Sequence, residues 1–259
     1  MSTPILQTKA LCRSFGAVTA ARDLDVTIAP GEIVGVIGSN GAGKTTFINM
    51  VTGYLPPSSG QILFEGRSIL GKPPRAIIRM GMARSFQVAQ LFPELTVLEN
   101  MLIALVAAEG PRPSFILPMA TAKRVRQAKD LLEEFGVERF GDSVVSAVPQ
   151  GARKLIDIAM ALISTPRMLL LDEPTSGVSV EEKFGLMDTV MRAVRRHGVT
   201  VLFVEHDMEI VERYVSRVLA FYSGEIISDG TPSQVFADEK VRELVIGHGH
   251  ATDKKRNMA

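Results

Sequence analysis

Eight residues limit what this chain can fold into more than any others: Gly38-Ser39-Asn40-Gly41-Ala42-Gly43-Lys44-Thr45. They follow an uninterrupted apolar run, residues 33–37, of the kind that forms a strand buried on both faces. A helix is expected directly after them, from about residue 44 to residue 51. Strand, glycine-rich turn and helix in that order make a phosphate-binding loop. The glycines let backbone N–H groups turn inward, and the helix N-terminus adds favourable partial charge. Lys44 is expected to reach the β- and γ-phosphates of a nucleotide, and the Thr45 hydroxyl to ligate Mg²⁺. The bland reading, an ordinary glycine-rich turn, leaves the flanking strand and helix unexplained.

The rest of the pattern supplies a frame for that loop. Residues 5–14 and 24–29 read as strands, closed by a Pro30-Gly31 turn. Residues 61–64 and 82–86 read as two more, with 56–60 as a loop. From 95 to about 163 the pattern is helical. Thr96 and Glu99 form a capping-box pair opening a helix over 97–108. Val125, Ala128, Leu132 and Phe135 share one face of the next helix; Leu155, Ile158, Ala159 and Leu162 share one face of a third. Residues 109–118, rich in proline, read as a loop between them. Strands are then expected at 168–171, 200–204, 218–222 and 225–228, and helices at 180–197, 208–215 and 232–245. That alternation implies an α/β fold with a mostly parallel sheet flanked by helices. The expected division is a core of 1–94 and 164–247, an inserted helical lobe at 95–163, and a polar tail at 248–259. The tail's His248-Gly249-His250 reads as solvated rather than metal-binding.

Three more elements carry chemistry. Met168-Leu169-Leu170-Leu171-Asp172-Glu173-Pro174 is a buried apolar strand ending in two carboxylates. Successive strand residues point to opposite sides, so the two can take different roles. Asp172 is expected behind the Mg²⁺, and Glu173 is expected to polarise the attacking water. Alone, an Asp-Glu pair after a strand would be a turn cap; following a phosphate loop, it reads as catalytic. His206, in Val204-Glu205-His206-Asp207, emerges at the carboxyl edge of a sheet, where ligands bind in such folds. There it is a candidate to hydrogen-bond the γ-phosphate and the attacking water. Gln87, in Ser85-Phe86-Gln87, ends a strand just before the helical stretch. At that junction it is a candidate sensor of Mg²⁺ or water that moves the lobe.

These elements, in this order, resemble the nucleotide-binding subunit of ATP-binding-cassette transporters over nearly the whole chain. The resemblance implies a P-loop NTPase core of RecA-like type, with an N-terminal antiparallel β subdomain and an inserted helical subdomain. It implies ATP and Mg²⁺ as ligands, held by Gly38, Ser39, Asn40, Gly41, Ala42, Gly43, Lys44, Thr45 and Thr46. Phe15 lies where that family stacks an aromatic on adenine; Gln87 matches its Q-loop, a metal contact, and His206 its switch histidine. Three segments narrow the likeness: Gly81-Met82-Ala83-Arg84-Ser85-Phe86-Gln87, Leu91-Phe92-Pro93-Glu94-Leu95-Thr96-Val97-Leu98-Glu99-Asn100, and Glu205-His206-Asp207-Met208. They look like an importer subfamily for branched-chain and other hydrophobic amino acids, urea or short amides. One departure matters. The family signature Leu-Ser-Gly-Gly-Gln falls on Val148-Pro149-Gln150-Gly151-Ala152, and only Gly151 survives. The signature serine normally donates to the γ-phosphate held by the other subunit, and Pro149 has neither a hydroxyl nor an N–H. Ser179 also stands where the family usually has Asp or Asn.

Composition bounds the alternatives. Lys plus Arg (29) nearly balances Asp plus Glu (28), which argues against a nucleic-acid partner. The single cysteine, Cys12, excludes an intrachain disulfide and reads as core. No apolar stretch opens the chain, and runs such as 101–108 fall far short of the roughly 18 residues that span a bilayer. The expectation is a cytoplasmic protein, peripheral on the inner face of the membrane. Its partners would be a polytopic permease and a second cassette ATPase, a paralogue rather than an identical chain, with a solute-binding protein reached indirectly. A soluble cassette protein of repair or translation would carry long coiled-coil, zinc or tandem insertions. A small-molecule kinase would leave the placement of Gln87 and His206 unexplained.

Overall fold

The computed structural model describes residues 3–85, 89–109 and 118–247. Gln87, most of the proline-rich loop and the histidines of the tail lie outside the described residues. In chain order the elements are β1 (Leu6–Phe15), β2 (Val18–Ile28), β3 (Ile33–Gly38), α1 (Lys44–Val51), β4 (Ser59–Phe64), β5 (Arg67–Ser68), α2 (Pro74–Arg79), β6 (Met82–Ser85), α3 (Val97–Glu109), α4 (Ala122–Glu134), α5 (Gln150–Leu162), β7 (Met168–Asp172), α6 (Val180–His197), β8 (Thr200–Val204), α7 (Met208–Tyr214), β9 (Arg217–Tyr222), β10 (Glu225–Gly230), α8 (Pro232–Ala237) and α9 (Glu239–Val241). They fall into two compact units, Met1–Ile77 with Thr200–Ala259, and Ile78–Val199.

In the first unit β3 has β8 on one side and β9 on the other, both parallel to it, and β10 pairs antiparallel with β9. A strand with neighbours on both edges and cover on both faces must be apolar throughout. Val34, Val36 and Ile37 are accordingly fully buried. The other sheet is antiparallel, in the order β2-β1-β4-β5. In β2 the expected alternation is visible: Leu24, Val26 and Ile28 are buried, while Asp23, Asp25 and Thr27 face out. β2 begins at Val18 rather than at residue 24 because its first half pairs with β1, a partner the polar residues there do not announce. The helix expected over 232–245 is broken. Asp238 is extended (φ −63, ψ 125) and accepts from the backbone N–H groups of Lys240 and Val241, capping a separate short helix, α9. A π-helical turn, Arg242–Ile246, follows. An Asp that can bond nearby backbone competes with helix continuation, which apolar periodicity does not register.

In the second unit β6 and β7 run parallel, in register from Met82↔Met168 to Ser85↔Leu171. The capping box opening α3 is present in both directions: the Thr96 N–H donates to the Glu99 carboxylate at 2.8 Å, and the Glu99 N–H donates to Thr96 Oγ1 at 3.2 Å. Arg124 of α4 is ion-paired to Glu109 at the end of α3 at 2.8 Å. Along α4, Ala128, Leu132 and Phe135 are buried as expected, with Val125 half-buried. α5 is enclosed more completely than a one-face reading allows. Ile158, Ala159 and Leu162 are buried, but so are Lys154, Ile156 and Asp157, while Leu155 is half-buried. α6 spans residues 180–197 as the pattern predicts and stops at Gly198, which takes the left-handed conformation (φ 63).

Asp157 is the buried carboxylate of this unit. Its Oδ2 accepts from Ser85 Oγ at 2.5 Å and its Oδ1 from the Gln90 N–H at 3.0 Å. Burial pushes its pKa up, opposed by those two hydrogen bonds and by the charge of Lys154. A carboxyl whose folded pKa is raised contributes most stability below its unfolded pKa, and loses it as pH rises through the folded value. Asp157→Asn removes that titration, yet its amide can accept from Gln90 N–H and donate to Ser85 Oγ. In urea denaturation at a series of pH values, the gap between the two proteins should shift in favour of wild type as pH falls from neutrality toward the unfolded carboxylate range. A gap that is flat with pH would count against this account.

Candidate functional site

β3 and β8 run parallel from Ile33↔Val201 to Val36↔Val204, so both end on the same edge of the sheet. Past β3 the chain enters the loop Gly38–Gly43; past β8 it passes through Glu205 and His206. The carboxyl edge of a parallel sheet is where ligands bind in open α/β folds. His206 is exposed there, whereas Glu205 is buried. Asp207 next to it caps α7, accepting from the Glu209 and Ile210 N–H groups.

The loop is held by its own backbone. Ala42 N–H donates to Ser39 O (3.1 Å), Gly224 N–H donates to Ala42 O (2.9 Å), and Phe47 N–H donates to Gly43 O (2.9 Å) as α1 begins. Gly43 has φ 103, and a Cβ placed there would lie 2.6 Å from Ala20 O of β2 and 3.2 Å from Gly224 Cα. The loop is therefore pinned between the β1–β2 hairpin and the turn that joins β9 to β10. Lys44 is only 6% exposed, and its Nζ donates to Gly38 O (2.7 Å) and Ser39 O (3.0 Å). Its ammonium lies against the carbonyls of the loop rather than out in solvent. The first turn of α1 holds no acidic residue, so nothing there opposes an incoming anion. Thr45 is exposed and Thr46 half-buried.

Phe15 ends β1 with 49% of its surface exposed, unusual for a phenylalanine. The Arg13 guanidinium lies 4.6 Å from its ring centroid, and Arg13 Nη1 donates to Pro56 O at 3.0 Å. The ring is thus backed by a cation, and it can stack a planar base.

In the second unit β7 ends at Asp172, whose Oδ2 is 2.7 Å from Arg84 Nη2 of β6. Glu173 follows with φ 48, a left-handed conformation uncommon for a residue other than glycine. Strain of this kind costs about 1–3 kcal/mol and clusters at functional sites. Pro149 is the N-cap of α5 (φ −55, ψ 149) and offers no side-chain cap; its carbonyl accepts from Arg153 N–H at 2.9 Å. Gly151 lies in the first turn of α5. A Cβ there would meet nothing closer than Val178 Cγ1 at 4.0 Å, so this chain's own packing does not require glycine at that position. Among the described residues no cluster of three or more His, Cys, Asp or Glu could hold a metal.

Two residues gain importance that motif reading alone did not assign. Arg84 appeared only inside a resemblance segment, and Asp157 not at all. The available signal was charge at apolar positions: an arginine within a short strand, and an aspartate inside a helix face, both need buried partners.

A family model described as "ABC transporter" matches residues 21–176. The chain is 33% identical over 255 residues to the high-affinity branched-chain amino acid transport ATP-binding protein LivG of Escherichia coli (strain K12), covering 95% of this chain and 99% of that one. It is 32% identical, with the same coverage, to the corresponding protein BraF of Pseudomonas aeruginosa. Among solved structures it resembles the ADP conformation of MJ1267, an ATP-binding cassette of an ABC transporter, with a TM-score of 0.82 and 30% identity over 94% of this chain and 98% of that one. A nucleotide-free ATP-binding cassette from an ABC transporter gives 0.81 and 30%, over 93% and 98%.

The pinned loop makes a sharp expectation. Gly43→Ala drives a methyl group into the Ala20 carbonyl at a left-handed position, at a cost of about 1–3 kcal/mol. Chemical denaturation should show that loss, and equilibrium binding should show weakened ATP affinity. Binding and stability both equal to wild type would mean that the loop is not held in this conformation.

Proposed function

The chain belongs to the ABC transporter family, and from that premise we propose that it is the ATP-binding and ATP-hydrolysing subunit of an importer for branched-chain or other hydrophobic amino acids. The observation that carries the reading is the buried ammonium of Lys44 on a glycine loop, at the strand edge that also presents His206. The solute class comes from what LivG and BraF are named for. No helix among the described residues is long and apolar enough to cross a membrane, so a path for solute belongs to a permease.

Each side chain has a proposed task. Lys44 neutralises β- and γ-phosphate charge, and the loop N–H groups of residues 38–46 enclose the phosphates. Phe15 stacks the adenine. Thr45 and Asp172, with Gln87, supply oxygens to Mg²⁺, which when bound neutralises charge developing on the phosphates. Glu173 accepts the proton of the attacking water, and His206 hydrogen-bonds the γ-phosphate region. Gly151 faces the nucleotide of a second cassette subunit, where a bare backbone is useful. The helical lobe, residues 95–163, is the part that moves against the permease near Gln87.

Glu173→Gln keeps shape and hydrogen bonding but loses the proton acceptor. ATP hydrolysis should fall by on the order of 10²–10⁴ while ATP binding persists. Unchanged turnover in a phosphate-release assay would remove Glu173 from the chemistry.

Pro149 makes the two composite sites of the assembled importer unequal. A hydroxyl donating to phosphate is a charge-assisted bond, and its absence weakens the site this chain covers by roughly tenfold to a few hundredfold. That site belongs to the partner's phosphate loop. With a paralogue whose signature is intact, Lys44, Asp172 and Glu173 of this chain serve the faster site. Glu173→Gln here should then lower the ATPase rate of the complex more than the matching change in the partner. Equal losses, or a Pro149→Ser variant that gains nothing in ATP-driven dimerisation, would count against the asymmetry.

A further inference from the structure

β6 and β7 are parallel neighbours, with Arg84 opposite Leu170. Asp172 stands two residues beyond Leu170 on the same strand, so it shares a sheet face with Leu170 and is a diagonal neighbour of Arg84. An arginine is long enough to span that diagonal, and it does: Nη2 lies 2.7 Å from Asp172 Oδ2. Both side chains are nearly withdrawn from water, at 8% and 12% exposure. A guanidinium does not lose its proton, so the tie is present with or without metal.

We propose that Arg84 is a positioning residue for Asp172. It fixes the carboxylate through Oδ2 and leaves Oδ1 as the oxygen offered to Mg²⁺. The inference rests on Asp172 being the metal-side carboxylate. Arg84 itself touches neither nucleotide nor metal; it acts by restricting how Asp172 can be presented. A carboxylate tied by one oxygen binds metal through the other, and its rotamer is set before the ion arrives. Loss of the tie should therefore appear as a raised requirement for Mg²⁺, separate from affinity for the nucleotide itself.

The test is ATP binding to the full-length chain, titrated in EDTA and across a series of Mg²⁺ concentrations. Arg84→Met should leave metal-free binding within about twofold of wild type and raise the half-saturating Mg²⁺ concentration on the order of tenfold. Arg84→Lys keeps the charge without the planar fork and should show a smaller rise in the same direction. Equal weakening in EDTA and in Mg²⁺ would overturn the proposal, because Arg84 would then act only through the fold. An unmoved Mg²⁺ half-point would overturn it as well. Should circular dichroism show that Arg84→Met does not fold, Arg84→Lys decides, and an unchanged Mg²⁺ requirement in that variant rejects the proposal. Asp172→Asn separates the two levels. If it leaves the Mg²⁺ requirement unchanged, Asp172 is not the metal carboxylate and both readings fall. If it raises the requirement while the Arg84 variants do not, only the role of Arg84 is lost.

Discussion

The first unit depends on one backbone constraint, the close approach of the loop after β3 to the chain on either side of it. At Gly43 there is no room for a side chain: the Ala20 carbonyl and Gly224 occupy the space. Around that contact the Gly224–Ala42 hydrogen bond ties the loop to the β9–β10 turn. The loop is thus held by backbone contacts on both sides. A loop shaped beforehand does not lose chain entropy when phosphate arrives, so more of the interaction energy appears as affinity. The same contact links the loop to the hairpin whose tip carries Phe15, since Ala20 lies on β2. Platform and phosphate loop thus belong to one mechanically continuous unit.

Charge inside the fold follows a consistent rule. Lys44, Arg84, Arg124 and Asp157 are all largely withdrawn from water, and each meets a partner of the right kind. Lys44 meets the Gly38 and Ser39 carbonyls of its own loop. Arg84 meets a carboxylate, which cancels its charge. Arg124 bonds Glu109 and two carbonyls before α4, joining the ends of two helices. Asp157 meets a hydroxyl and an N–H, with the charge of Lys154 nearby.

The start of α5 shows how a proline can open a helix without loss of structure. Pro149 suits an N-cap position: its φ is near the value its ring enforces, and a missing N–H costs nothing just before a helix. Gly151, by contrast, has open space around it and no positive φ. Proline at 149 is therefore compatible with the start of this helix. Glycine at 151 is not required by this chain's own packing.

Much of this was legible in the residues. The apolar run 33–37 followed by glycines and Lys44 determined a buried strand, a loop and a helix, because no other local structure satisfies that pattern of backbone freedom and burial. The Thr96–Glu99 cap and the helix over 180–197 were equally plain, being local in sequence. Asp172, Glu173 and His206 could be singled out by position, as polar residues terminating buried strands. The misses share a cause. The early half of β2 is set by pairing with β1, and the break at Asp238 by a side chain competing for backbone. The enclosure of α5 is set by neighbours on several sides. None of these leaves a periodic trace. Sequence by itself determined which residues could bind phosphate, because that chemistry depends on residue type and near-neighbour spacing. Only the tertiary structure decided that Lys44 lies on its own loop carbonyls, that Gly43 is wedged against Ala20, and that Arg84 holds Asp172. Those contacts join residues up to 88 positions apart, and their distances are set by strand register and packing rather than by the order of the chain.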